Sequence, residues 1–328
     1  MSTRLPDDLV AEIVTSQTAS GAFTSTMVEN GDARDDENGF VTAQVLKALG
    51  PHTADPRLTP ATERALDFLT SCEDPKNPGV YRFWTDTSRP EHVPVYPADA
   101  DDTAVISLEL ARHGRLDVAA LRATVLRGLF GHRVSAHTDP PASWVRAGAF
   151  WTWLDDDFGY NVVDCTVNAN VAALLAVAGL THLPCYEAVC TMIEAGLAAA
   201  GDNEHHARLL SPYYPHPCEL LFAVEAAVAG GAHDLRPSLA ALCKWARPVD
   251  DSQPVFSSAY GRVRWHVPLL HHIRAARAEP VSPSAQSSSA LLMAAAVTAP
   301  SVAFAGASVA AAHKQSTTVL GDSGRAAT

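Results

Sequence analysis

The stretch "YPADADDTAVISLELARHG", residues 96–114, sets Asp99, Asp101 and Asp102 within four residues, directly before a run that is apolar almost all the way round. Three carboxylates so close repel one another, and a helix without a polar face must be covered on every side. The stretch therefore reads as a buried helix with an acidic cluster at its mouth.

The same unit recurs loosely along the chain. "GAFTSTMVENGDARDDENGFVTAQVLKALG" (21–50) runs from a Gly-aromatic turn through an acidic loop into a short apolar helix, as do residues 79–114 and "FWTWLDDDFGYNVVDCTVNANVAALLAVAG" (150–179). Residues 209–231 and 250–273 are degraded versions. The period is about 50 to 65 residues, what one helical hairpin plus a long loop requires. Amphipathic segments lie between the units, at 5–17, 61–72, 117–130, 184–199 and 234–247. In the third, Val118, Leu121, Val125 and Leu129 recur at helical spacing. Apolar helices alternating with amphipathic ones predict a double ring, the inner helices lining a central cavity. No β-alternation competes, so the expected fold is all-α: an (α/α) toroid of five to six helical hairpins over residues 1–278.

From about Ala278 the character changes. "AEPVSPSAQSSS" reads as a linker, and the Ala-rich run after it carries Pro300 in its middle. That run is nearly long enough to span a bilayer, but Ala is barely apolar and Thr298, Ser301, Gly306 and Ser308 interrupt it. Residues 279–328 are expected to be a weakly ordered Ala/Ser/Pro-rich tail, with a membrane anchor as the alternative.

Composition bounds the function. The net charge of −12 and the lack of any basic run argue against nucleic acid or anionic lipid as main partner. Six scattered cysteines with no C-x-x-C give neither a disulfide framework nor a zinc ribbon, and the N-terminus lacks the apolar core of a signal peptide. A cytoplasmic protein with reduced thiols is expected.

A single Asp before a helix is explained by N-capping, the reading that fits Asp36 or Asp164 taken alone. Three carboxylates in "DADD" exceed what capping requires. Crowding and burial raise the pKa of at least one, leaving a Brønsted acid at neutral pH. Divalent-cation binding and a solvated capping cluster are the other uses of such a group.

"DADDTA" resembles the D-x-D-D-T-A motif of class II terpene cyclases, the group of squalene–hopene and diterpene cyclases, which are built from (α/α) toroids. The resemblance covers residues 1–278 at the level of repeat pattern. It implies that Asp101 protonates an alkene or epoxide of a linear polyprenyl substrate, such as a farnesyl or geranylgeranyl compound, and that Asp99 and Asp102 tune and position that proton. Mg²⁺ is implied only if the substrate is a diphosphate, for which "ENGDARDDEN" (29–38) is the candidate segment. The family's glutamine–tryptophan repeats survive only as remnants such as "GAF" and "GVYRFW". Family members bury the acid between two toroidal domains and this chain has residues for one, so a second copy or a partner domain is expected to close the cavity, unless one domain suffices.

A carbocation must be kept from water among aromatic faces. Candidate substrate-binding residues are Trp151, Trp153, Tyr160 and Tyr260, with Asp164, Asn168 and His216 as polar groups on or before otherwise apolar helices. Two rival readings stand beside the cyclase. One is a protein-prenyltransferase-like β subunit holding zinc by Asp164, Cys165 and His216, although adjacent Asp and Cys on a helix point about 100° apart. The other is a non-catalytic toroid that binds or scaffolds.

Overall fold

The computed structural model describes residues 4–136, 142–155, 157–245 and 251–278; the expected tail over 279–328 lies outside the described residues. Four largely buried helices and one amphipathic helix form the centre: α2 (Gly39–Leu49), α4 (Ala100–Arg112), α6 (Cys165–Val177) and α9 (Pro217–Ala229), with the amphipathic α11 (Pro268–Ala278). Here α1 is Asp7–Thr15, α3 Thr59–Ser71, α5 Val118–Ala123, α7 Pro184–Ala200, α8 Glu204–Arg208 and α10 Arg236–Leu242. α2 packs on α4, α4 on α6, α6 on α9, and α11 on α2. Between α9 and α11, the Arg274 guanidinium donates to both oxygens of Glu219 at 2.7 and 2.9 Å and lies over the Phe222 ring. These contacts join the five into a circuit. The other amphipathic helices sit outside it: α3 against α2 and α4, α5 against α4 and α6, α7 against α6, α10 against α9, and α1 against α11.

The inner helices start where a polar side chain receives their first free N–H groups, as helix ends require. Asn38 Oδ1 accepts from Val41 N at 2.8 Å for α2, and Asp99 Oδ1 from Asp102 N at 2.7 Å for α4. Asp164 Oδ1 accepts from Thr166 N and Val167 N at 2.7 and 3.2 Å for α6, and His216 Nδ1 from Cys218 N at 3.2 Å for α9. For α2 the cap is therefore Asn38 and not Asp36.

The expectation of an all-α chain needs correction. Strands β1 (Thr24–Glu29), β2 (Asp32–Glu37), β3 (Phe256–Ser257) and β4 (Val263–His266) form an antiparallel sheet in the order β2-β1-β4-β3. The acidic segment 29–38 is thus mostly a strand and its turn, not a loop. β2 reads "DARDDE", where charge hides any alternation, and β1 finds its second neighbour more than two hundred residues away. Met27 of β1 stands opposite Trp265 of β4, which stands opposite Phe256 of β3. All three are buried, and they give the sheet one apolar face.

Candidate active site

A cavity of about 470 Å³ lies between that face and the N-terminal ends of the inner helices. Phe40 of α2, Val167 of α6 and all three carboxylates of "DADD" line it, as do Met27, Phe256 and Trp265 from the sheet. Loop residues complete the wall: Phe83, Trp84 and Tyr96 before α4, Trp153, Phe158 and Tyr160 before α6, and Tyr213 and Tyr214 before α9. The rings touch in sequence around it. Centroids are 6.1 Å apart for Tyr214–Phe40, 4.9 Å for Phe40–Phe256 and 5.0 Å for Phe256–Trp265. They continue at 6.3 Å for Trp265–Trp84, 6.1 Å for Trp84–Tyr96 and 5.6 Å for Tyr96–Trp153. The Trp153 indole then donates to the Tyr213 hydroxyl at 2.8 Å.

Asp101, 8% exposed, is the most elaborately held of the three acids. One oxygen accepts from Asn170 Nδ2 of α6 at 2.8 Å, and the other from the Tyr214 hydroxyl. Asn170 is oriented in turn by the Lys47 ammonium of α2, which donates to its Oδ1 at 3.3 Å. Burial raises the Asp101 pKa above the ordinary carboxylate value, while the Tyr214 and Asn170 hydrogen bonds and the Lys47 charge pull the other way. The group thus retains its proton more readily than a free carboxyl, yet the conjugate base left by proton transfer is received by two donors and a nearby cation. Lys47, itself desolvated, is pushed down to about 8.

Asp99 and Asp102 differ from it. Burial and the charge of Asp101 hold Asp99 above its usual range against its hydrogen bonds to the helix start. Asp102 is raised well above that range by burial and by its two acidic neighbours, and its Oδ2 is buried without a hydrogen-bond partner. Both causes favour the protonated form of Asp102.

The other sequence candidates divide into two sets. Trp153 and the 47%-exposed Tyr160 belong to the cavity wall. Asp164 lies behind it, fully buried: its Oδ2 accepts from Tyr213 N at 3.2 Å, and burial pushes its carboxyl up to about 7. Asn168 is saturated by the backbone of Phe150, accepting at 2.9 Å and donating at 3.0 Å, and by the Asp164 carbonyl. Trp151 packs on the core, and His216 caps α9. None of these four lines the cavity. The backbone of Tyr260 falls in a 3₁₀ turn, Ala259–Gly261, at its edge. Phe40, Phe83, Trp84, Met27 and Lys47 were not singled out from the sequence. "FW" at 83–84 lies within a quoted Gly-aromatic remnant, and Lys47 is one polar residue in a hydrophobic helix.

Among the described residues no group of three His, Cys, Asp or Glu side chains is placed to hold a metal ion. The zinc trio is otherwise engaged: Asp164 receives three backbone N–H groups, and His216 one. In the acidic hairpin, several carboxylates are already engaged. Glu29 pairs with Arg34 at 3.3 Å, Glu37 accepts from Ser20 at 2.6 Å, and Asp36 is held by two indoles and an amide. No helix among the described residues is long and apolar enough to cross a membrane.

No protein-family model matches the chain, and no curated protein matches it in sequence. Among solved structures, type II terpene cyclase MstE from Scytonema is similar at 15% identity and a TM-score of 0.42, over 82% of this chain and 94% of that one. A variant of that enzyme in complex with geranylgeranyl dihydroxybenzoate is similar at 14% identity and a TM-score of 0.41, over 82% and 95%. A protein from Actinoplanes is similar at 16% identity and a TM-score of 0.38, over 82% and 97%. Likenesses this weak fix neither residue roles nor activity.

Proposed function

We propose that the chain is a class II-type terpene cyclase, its helical circuit an (α/α) toroid and Asp101 the acid that starts the reaction. The observation that carries this reading is the position of the buried "DADD" carboxyls, which line a cavity whose wall is rich in aromatic rings. Protonated Asp101 transfers its proton to an alkene or epoxide of a linear polyprenyl chain. A new C–H or O–H bond forms, Asp101 becomes a carboxylate, and the chain becomes a carbocation. Successive alkenes then attack the cation intramolecularly, each closure moving the charge along the chain, until loss of a proton to a base or capture of water ends the cascade. Asn170, Tyr214 and Lys47 stabilise the carboxylate at Asp101, and the ring faces stabilise the cation while excluding water. A cavity of about 470 Å³ falls within the roughly 300–1,000 Å³ typical of small-molecule sites. A scaffold has no need of three buried carboxyls in such a wall, where each one is costly to desolvate.

The test is incubation of the purified protein with farnesyl and geranylgeranyl diphosphates, the corresponding alcohols and squalene, each with and without Mg²⁺, followed by mass-spectrometric analysis of products. Cyclic isomers or hydrates are expected from at least one substrate. Return of every substrate unchanged overturns the reading.

A further inference from the structure

The proposed protonation does not use every buried acid of the chain, and Asp36 is the one bonded to two rings of the cavity wall. Asp36 of β2 is 3% exposed and accepts three side-chain hydrogen bonds. Its Oδ1 accepts from the Trp84 indole at 2.8 Å, and its Oδ2 from the Trp265 indole at 3.0 Å and from Asn38 Nδ2 at 2.7 Å. Trp84 belongs to the loop before α4 and Trp265 to β4, so one carboxylate ties together two wall rings from distant parts of the chain. Both rings line the cavity. Asn38, the third donor, also caps α2 through its other amide atom. The hairpin, the helix start and the two indoles are therefore fixed as one piece.

Simple packing does not call for an acid here. A backbone carbonyl or an amide oxygen satisfies an indole N–H, and an unpaired carboxylate is costly to bury. Two carboxylate oxygens serve three donors at once, in the plane of each indole at its N–H edge; burial raises the Asp36 pKa, and these three hydrogen bonds pull it back toward the ionised form. An N–H donated to an anion polarises the ring, adding electron density to the face turned toward a cation. The position along the wall matters too. The side-chain partners of Asp101 are Asn170 and Tyr214, so the clamped pair belongs to a part of the wall that does not hold the acid.

We propose that Asp36 is a positioning residue for the cascade: it fixes the faces of Trp84 and Trp265 against the cavity and, as the acceptor at both N–H edges, favours a carbocation in front of those faces. This rests on the cyclase reading. It separates the acid that starts the reaction from an acid that governs how far the reaction runs.

The experiment compares wild-type protein with Asp36→Asn, Trp84→Phe and Trp265→Phe, using geranylgeraniol and geranylgeranyl diphosphate as probes. Asp36→Asn keeps the shape but loses one acceptor and the charge. Its ratio of fully to partly cyclised product should fall about tenfold, the order expected from weakening cation–π contacts, and by more than total substrate consumption falls. A role in stability alone would lower both together. The near-ultraviolet circular dichroism of tryptophan should weaken while the far-ultraviolet helical signal is retained. If Asp36→Asn does not fold, each Trp→Phe variant removes one donor and keeps a ring, and each should shift the ratio the same way. An unchanged ratio in the folded variants, from a wild type that cyclises, overturns the role of Asp36 and leaves the cyclase reading standing. A wild type inert toward both probes and toward the other polyprenyl substrates overturns that reading, and this inference with it.

Discussion

Replacing Asp101 by Asn isolates the proton from everything else the residue does. Asp101 faces two partners of different kinds: Asn170 Nδ2 can only donate, whereas the Tyr214 hydroxyl can donate or accept. An Asn at 101 turns its carbonyl toward Asn170 and its NH₂ toward Tyr214, whose hydroxyl rotates to accept. The Tyr214 hydroxyl hydrogen loses its acceptor, and against that cost one of three crowded, desolvated acids is removed. The stability change should therefore stay within about 1 kcal/mol, a shift in melting temperature of no more than about 4 °C for a domain of this size. Turnover responds differently. General acid catalysis alone is worth roughly 10²–10⁴-fold, or about 3–5 kcal/mol of barrier.

Asp99 and Asp102 line the same cavity and are both raised, so either could substitute for it, and Asp101→Asn is measured beside Asp99→Asn and Asp102→Asn. The assay reads product formation under single-turnover and steady-state conditions, with thermal unfolding of the same preparations. Asp101→Asn should lose the full factor and Asp99→Asn and Asp102→Asn less, since both neighbours tune the acid by their proximity. If Asp101→Asn retains turnover while Asp99→Asn or Asp102→Asn loses it, the acid has been assigned to the wrong carboxyl. If none of the three loses turnover, proton delivery from this cluster is refuted.

Other perturbations follow from the same geometry. Tyr214→Phe removes a donor to the Asp101 conjugate base, so turnover should fall by about tenfold with the fold intact; a rate equal to wild type would show that the hydroxyl plays no part in the transfer. Lys47→Met removes the cation that orients Asn170 and lowers the Asp101 pKa, and should slow turnover several-fold, up to about tenfold, with little change in KM. Stability should depend on pH in a direction opposite to acid denaturation. Asp164, at about 7, and Asp99, also raised, hold protons in the folded chain that they release in the unfolded one. Their stabilisation is full below about pH 4 and is lost as pH rises to about 7, up to about 4 kcal/mol for Asp164. The urea midpoint should accordingly be higher at pH 5 than at pH 7.5, and Asp164→Asn should flatten the difference; a midpoint that rises over this interval contradicts the burial of these acids.

What could be read from the sequence was periodic. The apolar runs gave α2, α4, α6 and α9 within a few residues of their starts, because a helix buried on all sides leaves a local, continuous signal. Of the caps, Asp164 was legible as a short acid directly before an apolar run, whereas Asn38 and His216 were missed: Asp36, two positions from Asn38, is as short and polar, and only its strand pairing separates the two. The hairpin had its own mark. Asn30 and Gly31 have φ of 52° and 92°, the conformation for which Asn-Gly is the preferred two-residue turn, but the charge of β2 masked it. The wall was hardest to read. Whether a tryptophan faces a cavity, as Trp153 does, or the core, as Trp151 does, depends on a single residue of register in an irregular loop.

The resemblance led to the expectation of a second domain or partner over the acid, and the geometry supplies a reason one chain can suffice. A cation cascade needs a roof that is apolar, aromatic and rigid, whatever element provides it. Here the sheet presents Met27, Phe256 and Trp265 to the cavity, and the loops before α4 and α6 add Trp84, Tyr96, Trp153 and Phe158. Loops are ordinarily the mobile part of a fold, so such a roof must be tied down. Asp36 ties Trp84 to the sheet, the Trp153 indole is bonded to Tyr213, and the Trp153 backbone is paired with both Asp99 and Asn161. The Trp84 tie is a buried hydrogen bond to a carboxylate, the kind that is strongest where water is excluded, and the Trp153 ties are half-buried bonds to neutral groups. The aromatic wall is thus held by a few polar clamps, and on the proposed reading the acid that clamps Trp84 is distinct from the acid that would deliver the proton.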